Sequence, residues 1–139
     1  AQGYGFAFDE YLGRINDESI LIVQIEHAEA VSGLEAILAV PGVDGLMVGP
    51  YDLSGSLGVP GQFEHPDVRA ALETVSSTAR GLNVATGFHV VQPSAEQVRQ
   101  RLEQGFTFIA VGLDTMFLGS KAREVLADLP TFSAFGRAE

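Results

Sequence analysis

A chain of 139 residues, 46% hydrophobic and 19% charged, is long enough for one domain with its own core and too short for two. Its 8 Lys plus Arg stand against 18 Asp plus Glu, a formal charge of −10 with no basic run, so phosphate backbones and anionic lipid would repel it. Nucleic acid and membrane are therefore not expected partners, and the lack of cysteine excludes disulfides, thiolate nucleophiles and zinc–thiolate sites while being compatible with the cytoplasm.

Residues 4–15 have the periodicity of an amphipathic helix, with Phe6, Leu12 and Ile15 turned inward. Residues 20–25 (ILIVQI) are an unalternated, β-branched run, the pattern of a strand buried on both faces. A helix follows over 27–40, with Ala30, Leu34, Ile37 and Leu38 on one side and Pro41-Gly42 as its stop. A second strand at 45–48 (GLMV) runs into a loop rich in glycine and proline over 49–61. Residues 67–80 form a helix behind Pro66, and 84–87 a short third strand. Ser94-Ala95-Glu96-Gln97 is a capping box opening a helix to about Gln104. Residues 106–112 (FTFIAVG) make a fourth strand, residues 114–126 a last helix, and 131–139 a tail without signal.

The longest apolar stretches, 20–25 and 106–113, fall far short of the roughly 20 residues that span a bilayer. No signal peptide opens the chain. It starts at Ala1 inside a helical pattern, so residues 1–139 are expected to be a single partial domain of something longer. A helix followed by four strand–helix units predicts a parallel α/β arrangement. Two architectures satisfy it: an open doubly wound sheet, or half of a (β/α)₈ TIM barrel, which needs about 250 residues when complete.

In either one, the site lies beyond the carboxyl ends of the strands. Gln24 and Glu26 stand there on the first strand, Tyr51 and Asp52 after the second, His89 after the third and Asp114 after the fourth. Glu26 and Asp52 sit one unit apart on strands expected to be neighbours, about 4.8 Å between strands. Two carboxylates that close repel unless one is protonated or a cation lies between them. A hard, oxygen-seeking cation such as Mg²⁺ or Mn²⁺ suits that pair, but helix capping explains acidic residues at these places equally. The glycines flanking Asp52 either let backbone amides approach an anion or simply make a surface turn.

Val23-Gln24-Ile25-Glu26, Asp44-Gly45, the run Val48-Gly49-Pro50-Tyr51-Asp52-Leu53-Ser54, Gly58, His65-Pro66, Gly87-Phe88-His89-Val90 and Val111-Gly112-Leu113-Asp114-Thr115 agree in order and spacing with one family. From about Tyr4 to Leu126 the chain resembles the HpcH/HpaI aldolases, the group around 2,4-dihydroxyhept-2-ene-1,7-dioate aldolase. The resemblance implies the C-terminal half of a (β/α)₈ barrel from a class II pyruvate aldolase. It also implies Mg²⁺, Mn²⁺ or Co²⁺ held by Glu26 and Asp52, and a substrate pocket formed by Gln24, Tyr51, Asp52 and His89. Such an enzyme cleaves a 4-hydroxy-2-oxo acid to pyruvate and an aldehyde, the cation stabilising the pyruvate enolate. No Schiff-base lysine is required, in keeping with Lys121 being the only lysine. The family's catalytic His and substrate-binding Arg belong to early strands with no counterpart here, so the chain alone is expected to be inactive.

The remaining candidates have plainer roles. His27 is expected to cap a helix or support Glu26, His65 to serve local structure or the substrate entrance, and Asp114 to be an N-cap. Arg69, Arg80, Arg99, Arg101 and Arg123 read as solvated helix faces. The apolar last helix, with Phe117, Leu118, Val125 and Leu126, is expected either to join a neighbouring subunit of a homo-oligomer or to pack on its own barrel. Two other functions fit the pattern. One is a citrate-lyase-β-like or malyl-CoA-lyase-like enzyme, which a basic groove for the CoA phosphates would favour. The other is a non-catalytic half-barrel that dimerises through its bare strand edges.

Overall fold

The computed structural model describes residues 5–129; the predicted helix start at Tyr4 and the tail at 131–139 lie outside them. Its elements are α1 (Phe8–Glu18), β1 (Ile22–Ile25), α2 (Ala28–Ser32), α3 (Leu34–Leu38), β2 (Gly45–Val48), α4 (Pro50–Ser56), α5 (Pro66–Gly81), β3 (Ala85–Val90), α6 (Ala95–Glu103), β4 (Phe108–Val111) and α7 (Asp114–Ala127).

The four strands pair in parallel in the order β1-β2-β3-β4. Successive side chains on a strand point to opposite faces, so register sorts the residues into two sets. Val23, Leu46 and Thr86 share one row, and Ile25, Val48, Phe88 and Ile109 the next row on that face. This face is the core. Ile25, Leu46, Val48, Phe88 and Val90 are buried there against Leu34 and Leu38 of α3, Leu53 of α4 and Val68, Leu72 and Val75 of α5. On the opposite face Gln24, Met47, Gly87 and Phe108 share a row, and none of its side chains is buried.

A doubly wound sheet reverses its strand order and carries helices on both faces. Here the order follows the chain and the core helices cover one face, which is the arrangement of a (β/α)₈ barrel wall. The bare face is the barrel's interior. Among the described residues no helix is long and apolar enough to cross a membrane.

Several local expectations need correction. The run 20–25 is expected to be a doubly buried strand, but the strand is Ile22–Ile25 alone, and Ile20, Leu21 and Ile22 are exposed. The predicted helix 27–40 breaks at Gly33 into α2 and α3. The predicted loop 49–61 contains a helix, α4, which starts with Pro50 at N1, where its missing N–H costs nothing. Helix α1 buries nothing, with Phe6 98% exposed and Leu12 exposed beside a half-buried Ile15. Helix α7 likewise buries no residue, and Phe117, Leu118, Val125 and Leu126 stand exposed along it. Asp114 is the first residue of α7 rather than its cap; the cap position is Leu113, and Asp114 Oδ1 accepts from the Thr115 amide. The capping box at Ser94 forms as predicted, its Oγ accepting from the Gln97 amide.

Candidate active site

Register brings Glu26 and His89 to one level of the bare face. One residue past the Ile25–Val48–Phe88–Ile109 row stand Glu26, Gly49, His89 and Ala110. The Gly49 N–H donates to Ile25 O at 3.1 Å, keeping β1 and β2 together up to that level. Gln24 lies two residues before Glu26 on the same face, and its Nε2 donates to Glu26 Oε2 at 2.5 Å. That bond orients the carboxylate and occupies one of its acceptor sites, leaving the other oxygen free.

Gly49 makes room for this pair. A Cβ at that position would stand 2.9 Å from Gln24 Nε2, 3.1 Å from Glu26 Oε2 and 3.2 Å from Glu26 Cβ. The backbone at Gly49 (φ −93°, ψ 92°) is open to any residue, so glycine serves here for space and not for conformation. Gly49 stands between Glu26 and His89, which are two strand spacings, about 10 Å, apart.

Asp52 enters from the helix that follows. It occupies the first turn of α4 and is exposed, and neither it nor Glu26 forms an ion pair among the described residues. The first-turn amides of Tyr51 and Asp52 have no intrahelical acceptor, and Gly49 offers no side chain to cap them. Ser56 fixes the far end of α4, accepting from the Ala28 amide at 3.0 Å and donating to Leu53 O at 2.8 Å. Ser54, fully buried, donates to Tyr51 O and accepts from the Gly61 amide. The position of α4 against the β1–α2 turn is thus set by side-chain hydrogen bonds.

His89 is half-buried, with Nε2 3.1 Å from Gly112 O. A carbonyl only accepts, so Nε2 carries the proton in the neutral ring and Nδ1 is left as an acceptor. His89 and Tyr51 share a cavity of about 140 Å³ with Gln92, Gln97 and Arg101. Tyr51 meets Phe63 edge-on, ring centres 4.8 Å apart. The structure therefore forms two clusters, Gln24–Glu26–Gly49 and Tyr51–His89, with Asp52 on the helix that begins between them. Neither Glu26 nor Asp52 lines the cavity that holds Tyr51 and His89.

Could a cation fit? Among the described residues no three His, Cys, Asp or Glu side chains converge. Two oxygen donors, one already oriented by an amide, match a hard divalent cation that keeps open positions for water and substrate oxygens. The donor set therefore fits Mg²⁺, Mn²⁺ or Co²⁺ better than zinc, which favours nitrogen and sulfur.

His27 caps α2, Nδ1 accepting from the Glu29 amide at 3.2 Å, and His65 caps α5, accepting from the Asp67 amide at 3.3 Å. Arg101 overturns its expected place on a solvated face. It is 6% exposed and lies 4.4 Å from the centre of the Phe88 ring. Burial lowers its pKa from the ordinary arginine value, an effect that the charge of Glu64 opposes. Helical spacing marks Arg101 only weakly as inward-facing, because its neighbours Arg99, Gln100 and Leu102 do not announce a polar core position.

Comparison with known proteins agrees with this geometry. Residues 5–120 match the family model of HpcH/HpaI aldolase/citrate lyase. The chain is 40% identical over 119 residues to the 2-keto-3-deoxy-L-rhamnonate aldolase of Escherichia coli K12, covering 86% of this chain and 44% of that enzyme. It is similar in structure to an HpcH/HpaI aldolase/citrate lyase family protein from Burkholderia cenocepacia J2315 (TM-score 0.82, 36% identity, 92% of this chain and 49% of that one). The HpcH/HpaI aldolase from Desulfitobacterium hafniense DCB-2 gives a TM-score of 0.73 at 35% identity, over 91% of this chain and 50% of that one. The chain thus spans about half the length of the relatives it matches, and those structural neighbours are TIM-barrel aldolases. On its sequence, its sheet order and its helix-covered face, this chain belongs to the HpcH/HpaI aldolase/citrate lyase family.

Proposed function

We propose that this chain is the cation- and pyruvate-holding half of a class II aldolase that cleaves 4-hydroxy-2-oxo acids to pyruvate and an aldehyde. The observation that carries the proposal is the Glu26–Gly49–His89 level at the carboxyl end of the sheet, with Gln24 bonded to Glu26 beside a glycine that clears the space. Glu26 and Asp52 would hold Mg²⁺, Mn²⁺ or Co²⁺. Such a cation, when bound, supplies the positive charge that stabilises an oxyanion at the keto oxygen.

The chain's own groups do the rest. Gln24 keeps the Glu26 carboxylate oriented, as ligand-supporting hydrogen bonds do. The free amides of Tyr51 and Asp52 donate to the pyruvate carboxylate. His89, its Nε2–H held by Gly112 O, offers Nδ1 to the pocket. The aldolase named above acts, by its name, on a 2-keto acid, which accords with this substrate class. The exposed apolar residues of α7 give a homo-oligomer a surface to form on.

Calorimetric titration of Mn²⁺ into the purified chain, with and without pyruvate, tests the proposal. Binding tightened by pyruvate and abolished by Glu26→Ala and by Asp52→Ala is the expected result. Binding that survives both substitutions sinks it.

A further inference from the structure

Beside the Tyr51–His89 cavity, α5 and α6 flank a second one of about 600 Å³. Arg69 and Arg80 of α5 and Arg101 of α6 line it. No basic run exists in the sequence, yet the fold gathers three of its eight cationic side chains in one groove. None of the three forms an ion pair, whereas Arg14, Arg99 and Lys121 each pair with a glutamate among the described residues. In an acidic chain, three arginines in one place, none in an ion pair among the described residues, require an explanation.

Arg101 is the sharpest case. Of its guanidinium donors only Nη1 has a protein partner, Gln104 Oε1 at 2.8 Å. Nε is enclosed and has no hydrogen-bond partner among the described residues. The Phe88 ring covers one face of the guanidinium. A buried arginine with one hydrogen bond and a ring is under-compensated, because an enclosed charge is costly unless paired. Two carboxylates, Glu64 and Glu73, also line the groove, so the lining is three arginines against two glutamates.

Arg80 has a seat made for it. Its Nη2 reaches Ser76 Oγ and Gln104 O, both at 3.4 Å. A Cβ on Gly105 would lie on top of that nitrogen, so the left-handed glycine (φ +94°) leaves the space the guanidinium fills.

We propose that the α5–α6 groove binds a compact dianionic ligand, through Arg80 and Arg101 with Arg69 at the rim. The shared chemistry is a pair of negative charges on oxygens, as in a phosphate ester or a dicarboxylate, which the planar arginine fork recognises. Arg101 also lines the Tyr51–His89 cavity, whereas Arg69 and Arg80 line the groove alone, and Glu26 and Asp52 do not line it.

The test is calorimetry of the purified, metal-free chain against inorganic phosphate and, separately, succinate. Saturable binding of one of them is expected, and which one binds distinguishes the phosphate from the dicarboxylate source. Arg80→Gln, at an exposed position, should weaken it roughly tenfold or more, the loss expected for a charge-assisted bond. Arg101→Met keeps the bulk on Phe88 and removes the charge; it should abolish binding without lowering the thermal midpoint of the anion-free chain. Glu26→Ala should bind the anion as the unaltered chain does. Failure of both anions to bind, undiminished binding by Arg80→Gln, or loss of binding in Glu26→Ala each overturns the proposal. So does a clearly lowered midpoint in Arg101→Met, which would make the arginine a structural strut.

Discussion

Replacing Gly49 by alanine separates the fold from the candidate site at one atom. The added Cβ would press on Gln24 Nε2 at 2.9 Å and on Glu26 Oε2 at 3.1 Å. The first is the end of a flexible, exposed side chain and can swing away. Glu26 Cβ, at 3.2 Å, belongs to the adjoining backbone and yields only by a small shift. Crowding of this kind costs typically 1–3 kcal/mol. Alanine at a compatible φ returns about 0.4–1 kcal/mol by restricting the unfolded chain. The net loss is then about 1 kcal/mol, a fall of roughly 3–4 °C in the melting midpoint for a domain of this size. The site should suffer more, since Gln24 can no longer hold the Glu26 carboxylate. Loss of such a supporting bond lowers metal affinity roughly 10–100-fold. Urea unfolding followed by circular dichroism gives the first quantity, and Mn²⁺ calorimetry the second. A Gly49→Ala chain that binds Mn²⁺ as tightly as the unaltered one would refute the role assigned to Gln24, whatever its stability.

Other outcomes follow from single contacts. Leu46 is fully buried in the second strand, and Leu46→Ala should cost about 2–5 kcal/mol in urea unfolding. Thr107 accepts from the Thr86 amide at 2.9 Å. Thr107→Val leaves that amide without its partner and should cost about 1–3 kcal/mol, with Thr107→Ser restoring most of it. His27→Ala removes the α2 cap at a cost of about 0.5–2 kcal/mol by the same assay, and Mn²⁺ affinity should stay unchanged because His27 turns to the Glu29 amide. Ser56→Ala unties α4 from the Ala28 amide; it should weaken Mn²⁺ binding through Asp52 as well as lower stability by about 1 kcal/mol.

The alternation of buried strands with helices was legible from the sequence because short apolar runs between turn signals have few other uses. Its β1-β2-β3-β4 order was not, since periodicity records which face of a strand wants burial and not which strand lies beside it. The same gap explains α1 and the start of β1. Phe6, Leu12 and Ile20 carry a pattern that asks for a partner, but the partner is a matter of tertiary structure, and none covers them among the described residues. Glu26 and Asp52 were singled out as candidates from their common place at strand ends. The Gln24–Glu26 bond and the space at Gly49 depend on side-chain positions that spacing cannot give. Helix α4 was hidden by Gly49, Gly55 and Gly58, whose usual meaning is a turn, although Pro50 at its first position was a legible sign. Arg101 was misplaced because an arginine on a helix usually faces water, and only the packing of Phe88 reveals the exception.

The sequential strand order bears on how the chain is made. Each of β2, β3 and β4 finds its preceding neighbour in the sheet already synthesised, one helical crossover upstream. The sheet can therefore grow in one direction as the polypeptide leaves the ribosome, each unit templated by the last, in the manner of a repeat protein extending from a folded end. At every stage the leading edge of that sheet stays open, so a pause between β2 and β3 would expose the hydrogen-bonding groups of Gly45–Val48 to any other strand within reach.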